Sequence, residues 1–129
     1  MKALLTLPMV LVLGCAAAAP AGMSDAAKSR LDRALAGRTA GQPQSCVRQR
    51  ELRSSHVEGD TILYEGRGSL LYLNRTSGGC NSRAGRTLVT QNPIGNLCRG
   101  DIVRTVEPVS GTDWGSCTLG DFVPYRRVR

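Results

Sequence analysis

The chain has 129 residues, a formal net charge of +7 and an aromatic content of only 4%. This length accommodates one domain rather than two. Few rings are available to stack on bases, and no run of four or more basic residues occurs, so the composition argues against a nucleic-acid-binding protein.

Residues 1–21 predict a secretory signal peptide. Lys2 precedes an apolar run over 3–13, and small residues follow as far as Ala21. The apolar run is shorter than the roughly 20 residues that a helix needs to span a bilayer. The segment therefore predicts export, to the periplasm or the outer membrane of a bacterium.

Two cleavage sites compete within this segment. Leu13-Gly14-Cys15 resembles the lipobox of bacterial lipoproteins, which predicts lipid attachment at Cys15 and no other membrane contact. Cleavage after Ala18 or Ala21 is the alternative, because both sites have alanine at the −3 and −1 positions. Either route removes Lys2, which lowers the formal charge from +7 to +6.

Residues 22–44 predict a short helix and a linker. Ser24 is a suitable N-cap, Asp25 suits the positive end of the helix dipole, and Gly37 is a natural stop. An apolar stripe lies between them, formed by Ala27, Leu31, Ala34 and Leu35. Such a helix either docks on the domain or tethers it. The segment 38–44 is interpreted as the linker.

Residues 45–129 predict a β domain, a small antiparallel roll, barrel or sandwich of about six strands with disulfide staples. Its clearest hairpin joins runs 61–65 and 69–74 through a glycine-rich turn around Arg67. The other predicted strands lie within 46–48, 52–57, 86–91, 101–107 and 116–125.

The mature chain has an even set of four cysteines, Cys46, Cys80, Cys98 and Cys117. Their wide spacing, without Cys-x-x-Cys, favours disulfides over a zinc site. We expect Cys80–Cys98, because these residues end one strand and begin the next long one. We expect Cys46–Cys117, because the first and last strands are neighbours in a closed β domain.

No catalytic, metal-binding or cofactor-binding residue is predicted. His56 is the only histidine, and no nucleophile and carboxylate accompany it in a recognised arrangement. A hydrolase with a non-standard site would need a pocket that places His56 within hydrogen-bond reach of a hydroxyl and an acid. Trp114, predicted in a loop, either covers the core or contacts a partner.

The positive charge is almost entirely arginine, and Lys28 is the only lysine of the mature chain. One interpretation is an anionic partner, such as lipopolysaccharide phosphates or an acidic polysaccharide. The other is a coding bias towards arginine, with solvated charges that bind nothing specific.

Five short motifs, in their order along the chain, resemble a family of small exported proteins and lipoproteins of alphaproteobacteria. The motifs occupy residues 40–46, 61–64, 71–75, 97–101 and 119–125. The resemblance covers about residues 37 to 127 and implies an envelope protein. It carries over no catalytic residue.

The sequence therefore predicts a non-enzymatic binding or accessory module of the envelope, with a protein or an anionic polymer as partner. The hydrolase is one alternative. An inhibitor of an envelope-targeting enzyme such as lysozyme is another, although lysozymes are usually cationic and would repel a chain of charge +6.

Overall fold

The computed structural model describes residues 23–78, 80, 86–92 and 94–129. The predicted signal peptide and the lipid site at Cys15 lie outside these residues. The described chain forms a helix, α1 (Asp25–Leu35), a 3₁₀ turn (Gln49–Glu51) and eleven short strands. The strands are β1 (Arg38–Ala40), β2 (Cys46–Arg48), β3 (Ser54–Glu58), β4 (Thr61–Glu65), β5 (Leu71–Arg75), β6 (Ser77–Gly78), β7 (Thr87–Thr90), β8 (Asn96–Cys98), β9 (Ile102–Val106), β10 (Asp113–Thr118) and β11 (Phe122–Arg127).

The strands form three antiparallel sheets. One has five strands in the order β1-β11-β5-β4-β3, and another has four in the order β6-β10-β9-β7. Strands β2 and β8 form a separate two-stranded ribbon. The predicted fold class, mainly antiparallel β with an N-terminal helix and disulfides, is confirmed.

The main core lies between the five-stranded and four-stranded sheets. On β4, Ile62 and Tyr64 face this core, where they pack with Phe122 of β11 and Val103 of β9. Leu63, between them, points to the opposite face of the sheet, as strand alternation requires. Strand β4 is therefore buried on both faces, which explains its nearly unbroken apolar sequence.

Helix α1 covers the outer face of the five-stranded sheet. Ser24 caps it by accepting a hydrogen bond from the Ala27 amide at 3.2 Å, as predicted. Leu31 packs against Leu63 and Leu73, and Arg30 Nε lies 2.8 Å from a carboxylate oxygen of Glu58 on β3. The helix is thus docked on the domain.

The segment 38–44, interpreted from the sequence as a linker, is part of the β domain. Strand β1 pairs with β11, and the Gly41 amide donates to the Pro124 carbonyl at 2.7 Å. Gln44 forms a further bridge to Phe122. The linker interpretation is therefore corrected. This segment is held by backbone hydrogen bonds to β11. Because such bonds need no apolar side chains, its sequence shows no alternating apolar pattern.

The four cysteines form two disulfides, but the predicted pairing is wrong. Cys46 bonds to Cys98 and Cys80 bonds to Cys117, with Cα–Cα distances of 4.0 and 5.0 Å. Cys46 and Cys98 face each other in the β2–β8 ribbon, whereas Cys117 lies on β10, in a different sheet. The first and last strands are indeed neighbours, but they are β1 and β11, which contain no cysteine.

Disulfides form and persist in oxidising environments. The two bridges therefore indicate a compartment outside the cytoplasm.

Candidate functional site

Arginines gather at one end of the five-stranded sheet. Arg38 of β1 lies directly opposite Arg127 of β11, and Arg126 lies opposite Thr39. The Arg38 guanidinium donates to the Ser69 carbonyl in the β4–β5 turn, which also carries Arg67. We call the set Arg38, Arg67, Arg126 and Arg127 the arginine end.

The arginine end is not neutralised by carboxylates in the described part of the chain. The ion pairs among the described residues involve only cations outside the arginine end, namely Lys28, Arg30, His56, Arg99 and Arg104. Arg67, Arg126 and Arg127 are all exposed. Like charges placed directly opposite on neighbouring strands repel each other. This end of the sheet therefore has a positive potential that an external anion would relieve.

His56 belongs to a polar cluster on the outer face of β3 and β4. Its Nε2 lies 3.3 Å from Oε1 of Glu65, and Ser54 also hydrogen-bonds to Glu65. These hydrogen bonds, from Ser54 and from His56, hold the pKa of the Glu65 carboxyl below its usual value.

The order of this cluster differs from a nucleophile–base–acid arrangement. The carboxylate sits in the middle and accepts from both neighbours, so His56 is not positioned to take a proton from Ser54. All three side chains are accessible to solvent. Within the described residues, the cluster therefore lacks the geometry that the hydrolase alternative requires.

A small pocket that is open to solvent lies between the edge strands β3 and β7. It has a volume of about 190 Å³, with Tyr64 and Leu97 as buried lining residues and Arg53 as an exposed one. The Tyr64 hydroxyl is buried and has no hydrogen-bond partner among the described residues. Burial raises the pKa of Tyr64, so the phenol stays protonated at neutral pH and acts as a donor.

Comparison with protein-family models, curated proteins and solved structures finds no match. The resemblance to exported alphaproteobacterial proteins therefore stays a prediction.

A wider cleft of about 670 Å³ lies on the outer face of the four-stranded sheet. Two of its three charged residues neutralise each other, because Arg104 Nε donates to Asp113 at 2.9 Å. The backbone amide of Gly115 and the Arg104 guanidinium keep the pKa of Asp113 below its usual value. The third charged lining residue, Asp101, forms no ion pair in the described chain, and its carboxylate accepts from the Asn92 side chain and from the Cys98 amide. This cleft therefore offers an anionic ligand no unpaired cation.

Trp114 lies on β10 rather than in a loop, which corrects the prediction from the sequence. It is 48% exposed, and the Arg86 guanidinium stacks over its ring at 4.1 Å from the centroid. Such a cation–π contact stabilises a half-exposed ring. Trp114 therefore does not cover the core as a buried lid.

No group of three or more metal-ligating side chains comes together in the part of the chain that the structure describes. In the same part, no helix is long and apolar enough to cross a membrane.

Neither the arginine end nor the pocket between β3 and β7 was predicted from the sequence. Arg126 and Arg127 are adjacent in the sequence and give a weak signal, but Arg38 joins them only because β1 pairs with β11. Tyr64 follows the pattern of an ordinary core residue, and only the tertiary structure shows that its hydroxyl has no hydrogen-bond partner among the described residues.

Proposed function

We propose that this protein is a non-enzymatic binding module of the bacterial envelope that holds an anionic envelope polymer at the arginine end. The observation that carries the proposal is the direct cross-strand pair Arg38 and Arg127, joined by Arg126 and Arg67. Phosphate or carboxylate groups of a polymer offset the repulsion between these arginines, because guanidinium groups bind such oxyanions in a bidentate geometry.

The surface chemistry favours a polymer of charged groups over a nucleic acid. Single-stranded nucleic acids bind through aromatic rings as well as through cations. Trp114 is the exposed large aromatic residue of the described chain, and it lies on the other sheet. The exposed apolar residue nearest in sequence to the arginine end is Val128, which offers no ring.

Export supports the same assignment. The signal peptide over 1–21 directs the chain across the inner membrane, and the lipobox ending at Cys15 anchors it by a lipid. The mature protein is then a periplasmic or outer-membrane lipoprotein, and its β domain meets phosphate-bearing glycolipids and acidic polysaccharides.

We expect the mature protein to lack residues 1–14 and to carry lipid on Cys15. Intact-mass analysis of the protein purified from bacterial membranes checks this. An unmodified N-terminus at Ala19 or Gly22 contradicts the lipid anchor and leaves export intact, since both termini follow signal-peptidase cleavage.

We expect Arg38→Gln/Arg126→Gln/Arg127→Gln to bind lipopolysaccharide about 100-fold more weakly than the unmodified domain at low salt. Each arginine near an anionic surface contributes about 1 kcal/mol, and about 1.4 kcal/mol corresponds to a tenfold change in affinity. Co-sedimentation with lipopolysaccharide measures the effect at about 20 mM and at physiological ionic strength. We expect weaker binding at the higher ionic strength, because the Debye screening length there is only about 8 Å.

The matched control is Arg48→Gln/Arg50→Gln/Arg75→Gln. It removes the same number of charges from exposed positions outside the arginine end. The proposal requires this control to bind much better than the first variant. If both variants lose the same affinity for lipopolysaccharide, binding depends on net charge alone and the arginine end is not the site. If the amount of bound protein does not change with ionic strength, the interaction is not ionic.

A further inference from the structure

The two disulfides of the domain are interlocked along the chain. Cys80 lies between Cys46 and its partner Cys98, and Cys98 lies between Cys80 and its partner Cys117. Cysteines that are neighbours in the sequence are therefore not partners in the folded domain. A bridge between two neighbours takes one cysteine from each native pair, so neither native bridge can form until the wrong one is broken.

The lengths of the competing loops favour the wrong bridges. Cys98 is separated from Cys80 on one side and from Cys117 on the other by about 20 residues, whereas the native bridges close separations of 52 and 37 residues. The probability that a flexible chain closes a loop falls roughly with the 3/2 power of its length, so each short loop closes about three to five times as often as a native one. Chain statistics alone give the native pairing to about one molecule in five.

The core bridge has to be chosen while the chain is still open. Cys80 is 4% exposed and Cys117 is 2% exposed, and both belong to the main core. Once the two sheets have packed together, an external oxidant has no access to these sulfur atoms. Pairing therefore takes place before the core closes, when loop length decides which sulfurs meet.

The other bridge lies at the surface. Cys46 is exposed and Cys98 is half-buried, and they face each other directly in the β2–β8 ribbon. The residues that follow Cys46 and precede Cys98 in these strands, Val47 and Leu97, are buried and anchor the ribbon in the core. The folded ribbon thus holds the two sulfur atoms side by side where a partner can reach them, so this bridge is able to close last.

We propose that maturation of this protein depends on a thiol–disulfide isomerase, a partner protein with a reactive cysteine thiolate. A disulfide-donating oxidase forms the first bridges and takes up the electrons of the four thiols. Two wrong bridges leave no thiolate among these cysteines, so the nucleophile that starts their exchange comes from the partner. This partner is unrelated to polymer binding at the arginine end, and the two proposals fail separately.

The exchange involves no net oxidation or reduction. From the pairing Cys80–Cys98 and Cys46–Cys117, the isomerase thiolate attacks the Cys98 sulfur and releases the Cys80 thiolate. The Cys80 thiolate attacks the Cys117 sulfur, which forms the core bridge and releases the Cys46 thiolate. The Cys46 thiolate attacks the Cys98 sulfur, which forms the surface bridge and releases the isomerase thiolate unchanged. The mixed disulfide is on Cys98 throughout, in the surface ribbon.

The test reoxidises the reduced and unfolded mature chain 22–129, the product of cleavage after Ala21, which contains these four cysteines and no others. Diamide oxidises thiols without supplying one, and non-reducing peptide mapping identifies the bridges. We expect native pairing in about one molecule in five after diamide alone. A catalytic amount of reduced protein disulfide isomerase, added after diamide is removed, should raise the native fraction about fourfold, to most of the molecules.

Two matched variants keep one native pair each. Cys80→Ala/Cys117→Ala retains the surface pair, and Cys46→Ala/Cys98→Ala retains the core pair. Neither variant offers a wrong partner within the chain, so diamide alone should form the remaining bridge and the isomerase should not change its yield. The peptide map detects covalent bonds rather than folding, so a destabilised variant still gives a result.

Three outcomes overturn the proposal. Mostly native pairing after diamide alone shows that the reduced chain selects the correct partners without help. A native fraction that the isomerase does not raise shows that exchange is not the limiting step. An equal gain in yield for the single-pair variants shows that the isomerase acts on something other than the choice of partners.

Discussion

Replacing Cys80 and Cys117 together by alanine should lower the free energy of unfolding by about 4 kcal/mol, a large part of a typical domain stability of about 5–15 kcal/mol. The bridge closes a loop with a sequence separation of 37 residues, and its loss enlarges the unfolded ensemble. Both cysteines are also buried in the main core, so their removal forfeits packing contacts. Urea unfolding followed by circular dichroism measures the change.

The matched variant replaces Cys46 and Cys98. Its loop is longer, with a separation of 52 residues, so chain entropy alone predicts a similar loss of about 4 kcal/mol. Cys46 is exposed on the β2–β8 ribbon, however, and loses little packing. We therefore expect the core pair to cost more. A larger cost for Cys46 and Cys98, or a non-reducing peptide map that links Cys80 to Cys98, contradicts this description of the core.

Asn74→Leu should destabilise the domain by about 3 kcal/mol, because it removes both side-chain partners of the half-buried Gly120 backbone. Asn74 is fully buried on β5, and its amide nitrogen donates to the Gly120 carbonyl at 2.8 Å. Its side-chain oxygen accepts from the Gly120 amide, also at 2.8 Å. This pair of bonds fixes the bend between β10 and β11, immediately before the core residue Phe122.

Two further variants test the same bend. Asn74→Asp keeps the side-chain shape but replaces the amide NH₂ donor by a carboxylate oxygen, which cannot donate to the Gly120 carbonyl. We therefore expect most of the loss of stability to persist. Gly120→Ala should also destabilise, because a Cβ atom there would lie far inside van der Waals contact with the Arg75 carbonyl oxygen.

The matched control for Asn74 is Asn92→Ala. Asn92 also makes two hydrogen bonds, to Asp101 and to the Ile94 amide, but it is only half-buried. Water can replace its lost bonds, so the expected cost is smaller. Equal stability of Asn74→Leu and the unmodified domain contradicts the assigned role of this residue.

Elements that depend on neighbours in the chain were predictable. Helix α1 starts after the Ser24 cap and is followed by Gly37, which has a positive φ of 71°, as the local signals indicated. The β4–β5 hairpin forms around its glycine-rich turn, with the two tyrosines Tyr64 and Tyr72 as partners. Capping, turn chemistry and alternation act over a few residues, so they are legible without knowledge of the fold.

Pairings between distant strands were not predictable. The disulfide connectivity depends on β2 pairing with β8 and on β6 lying beside β10, and neither pairing has a local signal. The same holds for β1, which looked like a linker because its three residues contribute backbone hydrogen bonds rather than an apolar face.

The sequence by itself determined the mainly β fold, the capped helix, the disulfide chemistry and the excess of arginine. The tertiary structure alone decided which cysteines bond, which arginines meet across strands, and which tyrosine hydroxyl is buried without a partner among the described residues. The physical reason is the range of the interactions. Helix caps and tight turns are satisfied within a few residues, whereas the arginine end and the pocket between β3 and β7 arise only where strands far apart in the chain come to lie side by side.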